Sequence, residues 1–143
     1  MEIQVEIRDT KAVVPSRANL SDIGLDLVAI RVHKTIGSNT VMFDTGIAVK
    51  PPKGYYLEII PRSSLSKTGW MLSNSVGIVD PDYTGNLYIV LTRTRDDADV
   101  LETPFCKCQL VLRKAEYANV TVVDKLETTV RGQGGFGSTG SRV

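Results

Sequence analysis

Leu25-Asp26-Leu27-Val28-Ala29-Ile30-Arg31-Val32 is a run of β-forming residues interrupted by one carboxylate, and it ends near a Gly37-Ser38-Asn39 turn. Such a run, bounded by turn formers, reads as a strand. Toward the N-terminus, Glu2-Ile3-Gln4-Val5-Glu6-Ile7 alternates strictly, so Ile3, Val5 and Ile7 share one face. Toward the C-terminus the pattern continues over residues 41–50, broken at Gly46. Pro51-Pro52-Lys53-Gly54 is a turn and residues 55–60 a further strand. Residues 76–79, 87–92, 108–112 and 120–123 are more strand candidates, with turns at Asp82-Tyr83-Thr84-Gly85 and Arg95-Asp96-Asp97. One short helix is expected after Pro61, through Ser63 to Lys67. Strands at this spacing with almost no helix predict an all-β antiparallel sandwich or barrel.

The 143 residues fit one domain, large enough to fold without a disulfide or metal. Seventeen basic residues against 16 acidic leave a net charge of +1. Nucleic-acid sheaths and polybasic membrane anchors need a concentrated basic surface, so neither partner is expected. A nucleotide substrate needs only a few placed cations and stays open. No apolar run approaches the ~20 residues that span a bilayer. The first seven residues lack the basic start and apolar stretch of a signal peptide, so a cytoplasmic location is expected (nuclear in a eukaryotic or viral setting) rather than secretion. Cys106 and Cys108 are too close for an ordinary disulfide, and with His33 the only histidine no usual zinc site can form. Both cysteines read as small apolar side chains, and His33 as a surface residue.

Three segments could carry chemistry. From Gly132 the chain has one aromatic and almost no core former. Gln133-Gly134-Gly135-Phe136-Gly137-Ser138-Thr139-Gly140-Ser141 should be a mobile arm unless a ligand or neighbouring subunit orders it. Its glycines let backbone N–H groups converge on phosphate, Ser138 and Thr139 add hydroxyls, and Arg131 adds charge. It is no P-loop, having no lysine before the Ser-Thr pair. Phe136 has nothing local to pack on and suggests a base-stacking lid. Pro61-Arg62-Ser63-Ser64-Leu65-Ser66 places an arginine and two hydroxyls where a short helix starts, which makes an anion site or a plain N-cap with a surface arginine. In Gly77-Ile78-Val79-Asp80-Pro81-Asp82-Tyr83-Thr84-Gly85, Asp80 ends a strand at a tight turn, where a carboxylate serves as general base or as an Asx-turn residue. Asp22 and Asp26 pose the same choice. Asp26 interrupts an apolar strand and needs a partner there. Trp70 reads as a packing residue.

In combination these segments resemble the homotrimeric dUTPases. Ile23-Gly24-Leu25-Asp26-Leu27 is similar to the family's Ala-Gly-x-Asp-Leu, Pro61 to Leu65 to its Pro-Arg-Ser-Gly-Leu, and Gly77 to Gly85 to its Gly-x-Ile-Asp-x-Asp-Tyr-x-Gly. Cys108-Gln109-Leu110 resembles the close of the fourth motif, and Arg131 to Gly140 matches the whole fifth. The resemblance implies a jelly-roll-like body over residues 1–130 and a C-terminal arm over 131–143 that closes on the active site. It implies hydrolysis of dUTP to dUMP and pyrophosphate, which keeps uracil out of DNA and supplies dUMP for dTTP synthesis. Asp80 would activate the attacking water, and Tyr83 would pack on the deoxyribose and exclude a 2′-hydroxyl. Uracil would be held by the hairpin from Asn74 to Tyr83, with Gly77 and Val79 among its backbone contacts and Asn74 adding its amide. Arg62, Ser63 and Ser64 would bind phosphate, supported by Gln109. Arg131, Gly135, Gly137, Ser138 and Thr139 would close over the γ-phosphate, with Phe136 on uracil. Mg²⁺ would be held by the triphosphate and water, with Asp26 organising its surroundings and no direct protein ligand. Sites shared by three subunits are also implied.

Four departures stand out: Ile23 for Ala, Ser64 for Gly, Pro81 after Asp80 with Asn86 where an acid is common, and Pro104-Phe105-Cys106-Lys107 before Gln109. Arg-Ser-Ser-Leu and Ile-Asp-Pro-like features resemble the dCTP deaminases, which makes a deaminase or bifunctional enzyme the alternative. That family's catalytic glutamate would fall at about Val90, in a segment without an acid, and the deaminases lack the full arm. A non-catalytic regulatory protein of the same fold is the other alternative.

Overall fold

A computed structural model describes residues 1–137. Ten strands are formed among the described residues: β1 (Gln4–Ile7), β2 (Leu25–Ala29), β3 (Arg31–Ile36), β4 (Thr40–Asp44), β5 (Ile47–Lys50), β6 (Tyr55–Pro61), β7 (Trp70–Leu72), β8 (Gly77–Val79), β9 (Tyr88–Arg93) and β10 (Phe105–Lys114). A single 3-10 helix, Ser63–Lys67, follows β6 where the short helix is expected. One four-stranded sheet has the order β2-β10-β6-β8 and the other β3-β4-β9-β7, while β1 and β5 form a small third sheet. All the ladders are antiparallel. The arrangement is a jelly-roll-like sandwich, and the ladders among the described residues do not close into a barrel.

Period-two alternation puts one face of each large sheet into a common core. Leu27, Ala29, Leu57, Ile59, Cys108 and Leu110 come from the first sheet; Phe43, Ile89, Leu91, Trp70 and Leu72 come from the second. Phe43 of β4 meets Phe105 of β10 edge to face, ring centroids 4.8 Å apart, which joins the two sheets. Trp70 is a packing residue, as read: it is buried, its Nε1 donates to Asp99 O at 2.8 Å, and Arg93 lies 5.1 Å over its ring. His33 lies on exposed β3.

Two expectations need correction. Residues 25–32 are not one strand. The run breaks at buried Ile30, whose N–H donates to Asp44 O, and the chain crosses there from one large sheet to the other. Composition cannot show such a crossing, because both sheets accept the same residue types. Residues 120–123 do not form a strand either. Val120 and Val122 are each 94% exposed, with no strand among the described residues to pair with. Among the described residues regular structure ends at Lys114, and residues 115–137 hold Tyr117, Leu126, Val130 and Phe136 outward as well.

Both cysteines are free. Cys108 faces the core, and burial, with Cys106 nearby as a second cause, pushes its thiol up to about 12. A protonated thiol is a poor nucleophile. In a Cys106→Ser variant the remaining thiol is expected to resist a disulfide-exchange reagent at about pH 8 until urea unfolds the chain. Prompt labelling of the folded protein would contradict the packing described here.

Candidate active site

The structure gathers the sequence-predicted residues into two groups. The first surrounds a cleft of about 210 Å³ lined by Asn74, Gly77, Val79, Asp80, Tyr83 and Asn86, with Ile59 and Leu87 among its apolar walls. β8 positions Gly77 and Val79 by pairing with Ile59 and Leu57 of β6. Asp80 follows at the strand end and is exposed. Its backbone carbonyl accepts from Tyr83 N at 3.1 Å, closing a turn with Pro81 at its second position, where proline's fixed φ suits the geometry. The departure at Pro81 is therefore a turn former rather than damage to the motif. No described residue donates a hydrogen bond to the Asp80 carboxylate, which leaves it available to water. Tyr83 Oη donates to Asn86 O at 2.7 Å, and its ring lies so close over Gly85 that a Cβ there would overlap the phenol oxygen. Ser75, between Asn74 and Val76, has φ 61°, and the N–H of Val76 reaches back to Asn74 O at 2.6 Å. That tight reversal turns the amide of Asn74 toward Gly77, whose Cβ, if present, would lie 3.2 Å from Nδ2.

The second group sits at the far end of β6. Asp26 on β2 finds its partner in Arg62, with Nε 3.3 Å from Oδ1. Arg62 Nη1 also donates to Cys106 O at 3.0 Å and lies 3.3 Å from Cys106 Sγ. Gln109 is opposite Asp26 in one ladder and Ile60 in the other, and its Nε2 donates to Pro61 O at 3.1 Å. A Cβ on Gly24 would overlap Gln109 Oε1, so the glycine of the first motif is needed for this close approach. Ile23 beside it is 77% exposed, so its extra bulk over alanine meets nothing. Ser63 opens the 3-10 helix on the surface. Ser64 Oγ is buried without a hydrogen-bond partner among the described residues, a deficit of about 1–3 kcal/mol. The Asp26–Arg62 side chains are each about a third exposed, so the pair contributes at most about 1 kcal/mol to stability and acts chiefly to aim the guanidinium.

Ser75 of the hairpin shares a cleft with Arg62 and Ser63, but Asp80 does not come near Arg62 within one chain. The β6–β8 register puts Asp80 level with Tyr56, six residues from Arg62 along β6. At the strand rise that is roughly 20 Å. The described arm residues reach neither group. Arg131 Nε donates to Gly134 O at 2.6 Å within the arm, Phe136 is fully exposed with φ 50°, and Gly137 is exposed at φ 87°. Gly135 is half-buried. Ser138 and Thr139 lie outside the described residues. Asp22 is a loop residue: Oδ2 accepts from Asn19 N at 3.0 Å. Sequence reasoning missed Asp44, which holds Asn86, and Cys106, which holds Arg62. The signals available were an acid before a Thr-Gly corner and a thiol three residues before Gln109, both ordinary in isolation.

A family model described as dUTPase matches residues 10–140. The deoxyuridine 5'-triphosphate nucleotidohydrolase of Escherichia phage T5 is 42% identical over 118 residues, covering 82% of this chain and 76% of that protein. The protein of the same name from Saccharomyces cerevisiae is 34% identical over 141 residues, covering 97% and 95%. In structure, a variant of the Staphylococcus bacteriophage 80alpha dUTPase with dUpNHpp superposes with a TM-score of 0.78 at 21% identity, covering 96% of this chain and 98% of that one. A phage phi11 dUTPase variant, described as revealing the coordination of a structural Mg(II) ion, does so with a TM-score of 0.72 at 19% identity, covering 90% and 100%. At those identities the structures speak for the fold, and the sequence matches speak for the family. The chain belongs to the dUTPase family.

The contact between Gly24 and Gln109 generates a prediction. Gly24→Ala should displace Gln109 and with it the Arg62 group, lowering nucleotide turnover at least tenfold while the unfolding midpoint moves little, on the order of the ~100-fold loss that a 1 Å misplacement can cause. Unchanged turnover would show that Gln109 is not held for catalysis.

Proposed function

We propose that this chain hydrolyses dUTP to dUMP and pyrophosphate, with Asp80 as the general base. The observation that carries the reading is the Asp80 cleft, in which a carboxylate without a partner among the described residues, the Tyr83 ring and a polar hairpin edge converge within a member of the dUTPase family. Water attacks the α-phosphorus and gives its proton to Asp80, and the bond from that phosphorus to the α–β bridging oxygen breaks. Pyrophosphate departs with the electron pair of that bond. Gly77 and Val79 offer backbone groups, and Asn74 its amide, to the uracil edge. Tyr83 presents its ring to the deoxyribose, leaving no room for a 2′-hydroxyl.

Arg62, Ser63 and Ser64 bind the phosphates of a substrate, and Gln109 supports them. Ser64 Oγ has no partner among the described residues, and rotation of its side chain toward Arg62 lets a phosphate oxygen supply one. The roughly 20 Å between this group and Asp80 supports a site assembled from different subunits of a homotrimer. The arm, residues 131–143, closes over the γ-phosphate with Arg131, Gly135, Gly137, Ser138 and Thr139, while Phe136 stacks on uracil. A phenylalanine left in water forgoes about 1.5–3 kcal/mol of burial, which supports a docking role for it. No group of three His, Cys, Asp or Glu among the described residues could cage a metal. The donors present suit Mg²⁺ held by the triphosphate and water, with Asp26 in the outer shell. When bound, that ion neutralises charge on the leaving pyrophosphate. Deamination of dCTP is disfavoured because β9 carries no acid, with Val90 at the position where one would be needed.

Two experiments test this reading. Asp80→Asn should abolish release of pyrophosphate from dUTP in the presence of Mg²⁺ while retaining nucleotide binding by calorimetry; ammonia release from dCTP by the unaltered protein would move it to the deaminases. Truncation after Val130 should remove hydrolysis and spare the sandwich, as judged by circular dichroism. Full activity of the truncated chain would eliminate the arm from the mechanism.

A further inference from the structure

Tyr83 is moored to the sandwich through two residues with no role so far. Its hydroxyl donates to Asn86 O at 2.7 Å. The side chain of Asn86 is held at both ends: Nδ2 lies 3.1 and 3.3 Å from the two oxygens of Asp44, and Oδ1 accepts from Arg8 Nη1 at 3.3 Å. Asp44 is buried, and its Oδ1 also accepts from Gly46 N at 2.8 Å. The following residue is clamped by the same corner. Leu87 N donates to Ile47 O at 2.8 Å, and Leu87 O accepts from Thr45 N at 3.2 Å and Thr45 Oγ1 at 2.7 Å. Gly46 allows the corner to form: its φ is +70°, and a Cβ there would lie 2.8 Å from both Asp9 Cβ and Ile30 Cδ1.

A buried carboxylate is costly unless its lone pairs are used. Here they are spent on shaping the corner itself and on gripping a residue that lines the cleft. We propose that Asp44 and Asn86 are positioning residues for sugar discrimination. The Asp44 carboxylate fixes Asn86, the Asn86 carbonyl fixes the phenol of Tyr83, and the ring height so set determines the space left at the sugar 2′ position. The inference rests on the reading of Tyr83 as the wall of the deoxyribose site. It adds a specificity mechanism in which Asp44 on β4, outside the five motifs, acts through Asn86 at the close of the third.

The test reads binding, so it does not depend on turnover. Dissociation constants for dUDP and UDP are measured by calorimetry on the full-length protein and on Asn86→Ala, Asp44→Asn and Tyr83→Phe. The ratio of the two constants is expected to fall about tenfold in each variant, part of the ~100-fold that a 1 Å misplacement can cost. Adding Asn86→Ala to Tyr83→Phe should cause little further loss, since both act on one hydrogen bond. A ratio left unchanged by Asn86→Ala, or losses that simply add in the double variant, overturns the proposal; so does equal affinity of the unaltered protein for dUDP and UDP. Should Asp44→Asn fail to fold, Asn86→Ala and the double variant decide alone. Absence of dUTP hydrolysis by the unaltered protein would refute the activity proposed above and leave this ratio readable.

Discussion

Strand β6 is hydrogen-bonded along both edges, to β10 on one side and β8 on the other, and that double ladder sets the geometry of everything functional in this chain. Backbone pairing allows no slippage here. Moving β10 by one residue would turn Cys108 and Leu110 out of the core and carry Gln109 into it. Register therefore does two jobs with the same bonds. It keeps the apolar face of the first sheet on the core, and it fixes where Arg62, Gln109, Gly77 and Val79 stand relative to one another. Because the strand is stiff, the separation of its two ends is a property of the fold and not of loop motion. The proposed sharing of sites between subunits follows from that rigidity.

Polar groups at the site are held by geometry more than by strong interactions. The Asp26–Arg62 pair is too exposed to matter much for stability, yet Arg62 makes contacts to Asp26 and Cys106 that leave its guanidinium little freedom. Glycines at positions 24 and 85 serve the same end, since each lets a functional side chain lie against bare backbone. Preorganisation of this kind lowers the cost of orienting a substrate without adding to the stability of the empty protein. Ser64 goes further: its buried hydroxyl finds no partner among the described residues.

The motif departures find physical accounts in the structure. Ile23 points to solvent, Pro81 suits its turn, and Asn86 takes an acid's place beside a buried carboxylate, where a second negative charge would be repelled. The altered stretch before Gln109 is compensated as well. Cys106 supplies both a carbonyl and a sulfur to Arg62, so the fourth motif still supports the second.

Alternating apolar residues were enough to establish an all-β fold, most of the strands and the short helix, because side-chain period is a local property of the backbone. The strand end and turn at Asp80 and the short helix after Arg62 were equally legible, since each is a contiguous run with its own turn or helix-start signal. The crossing at Ile30 was not legible, because both sheets bury the same kinds of side chain. Residues 120–123 read as a strand, but a strand needs a partner as well as a pattern, and none of the described residues stands beside them. Which carboxylate meets which cation, that Gly24 makes room for Gln109, and that Asp44 governs the loop bearing Tyr83 were decided only by tertiary structure. Those contacts join residues 36 to 85 positions apart in the chain, counting Asp26 to Arg62 and Gly24 to Gln109, and no local pattern encodes a pairing that strand register alone brings about.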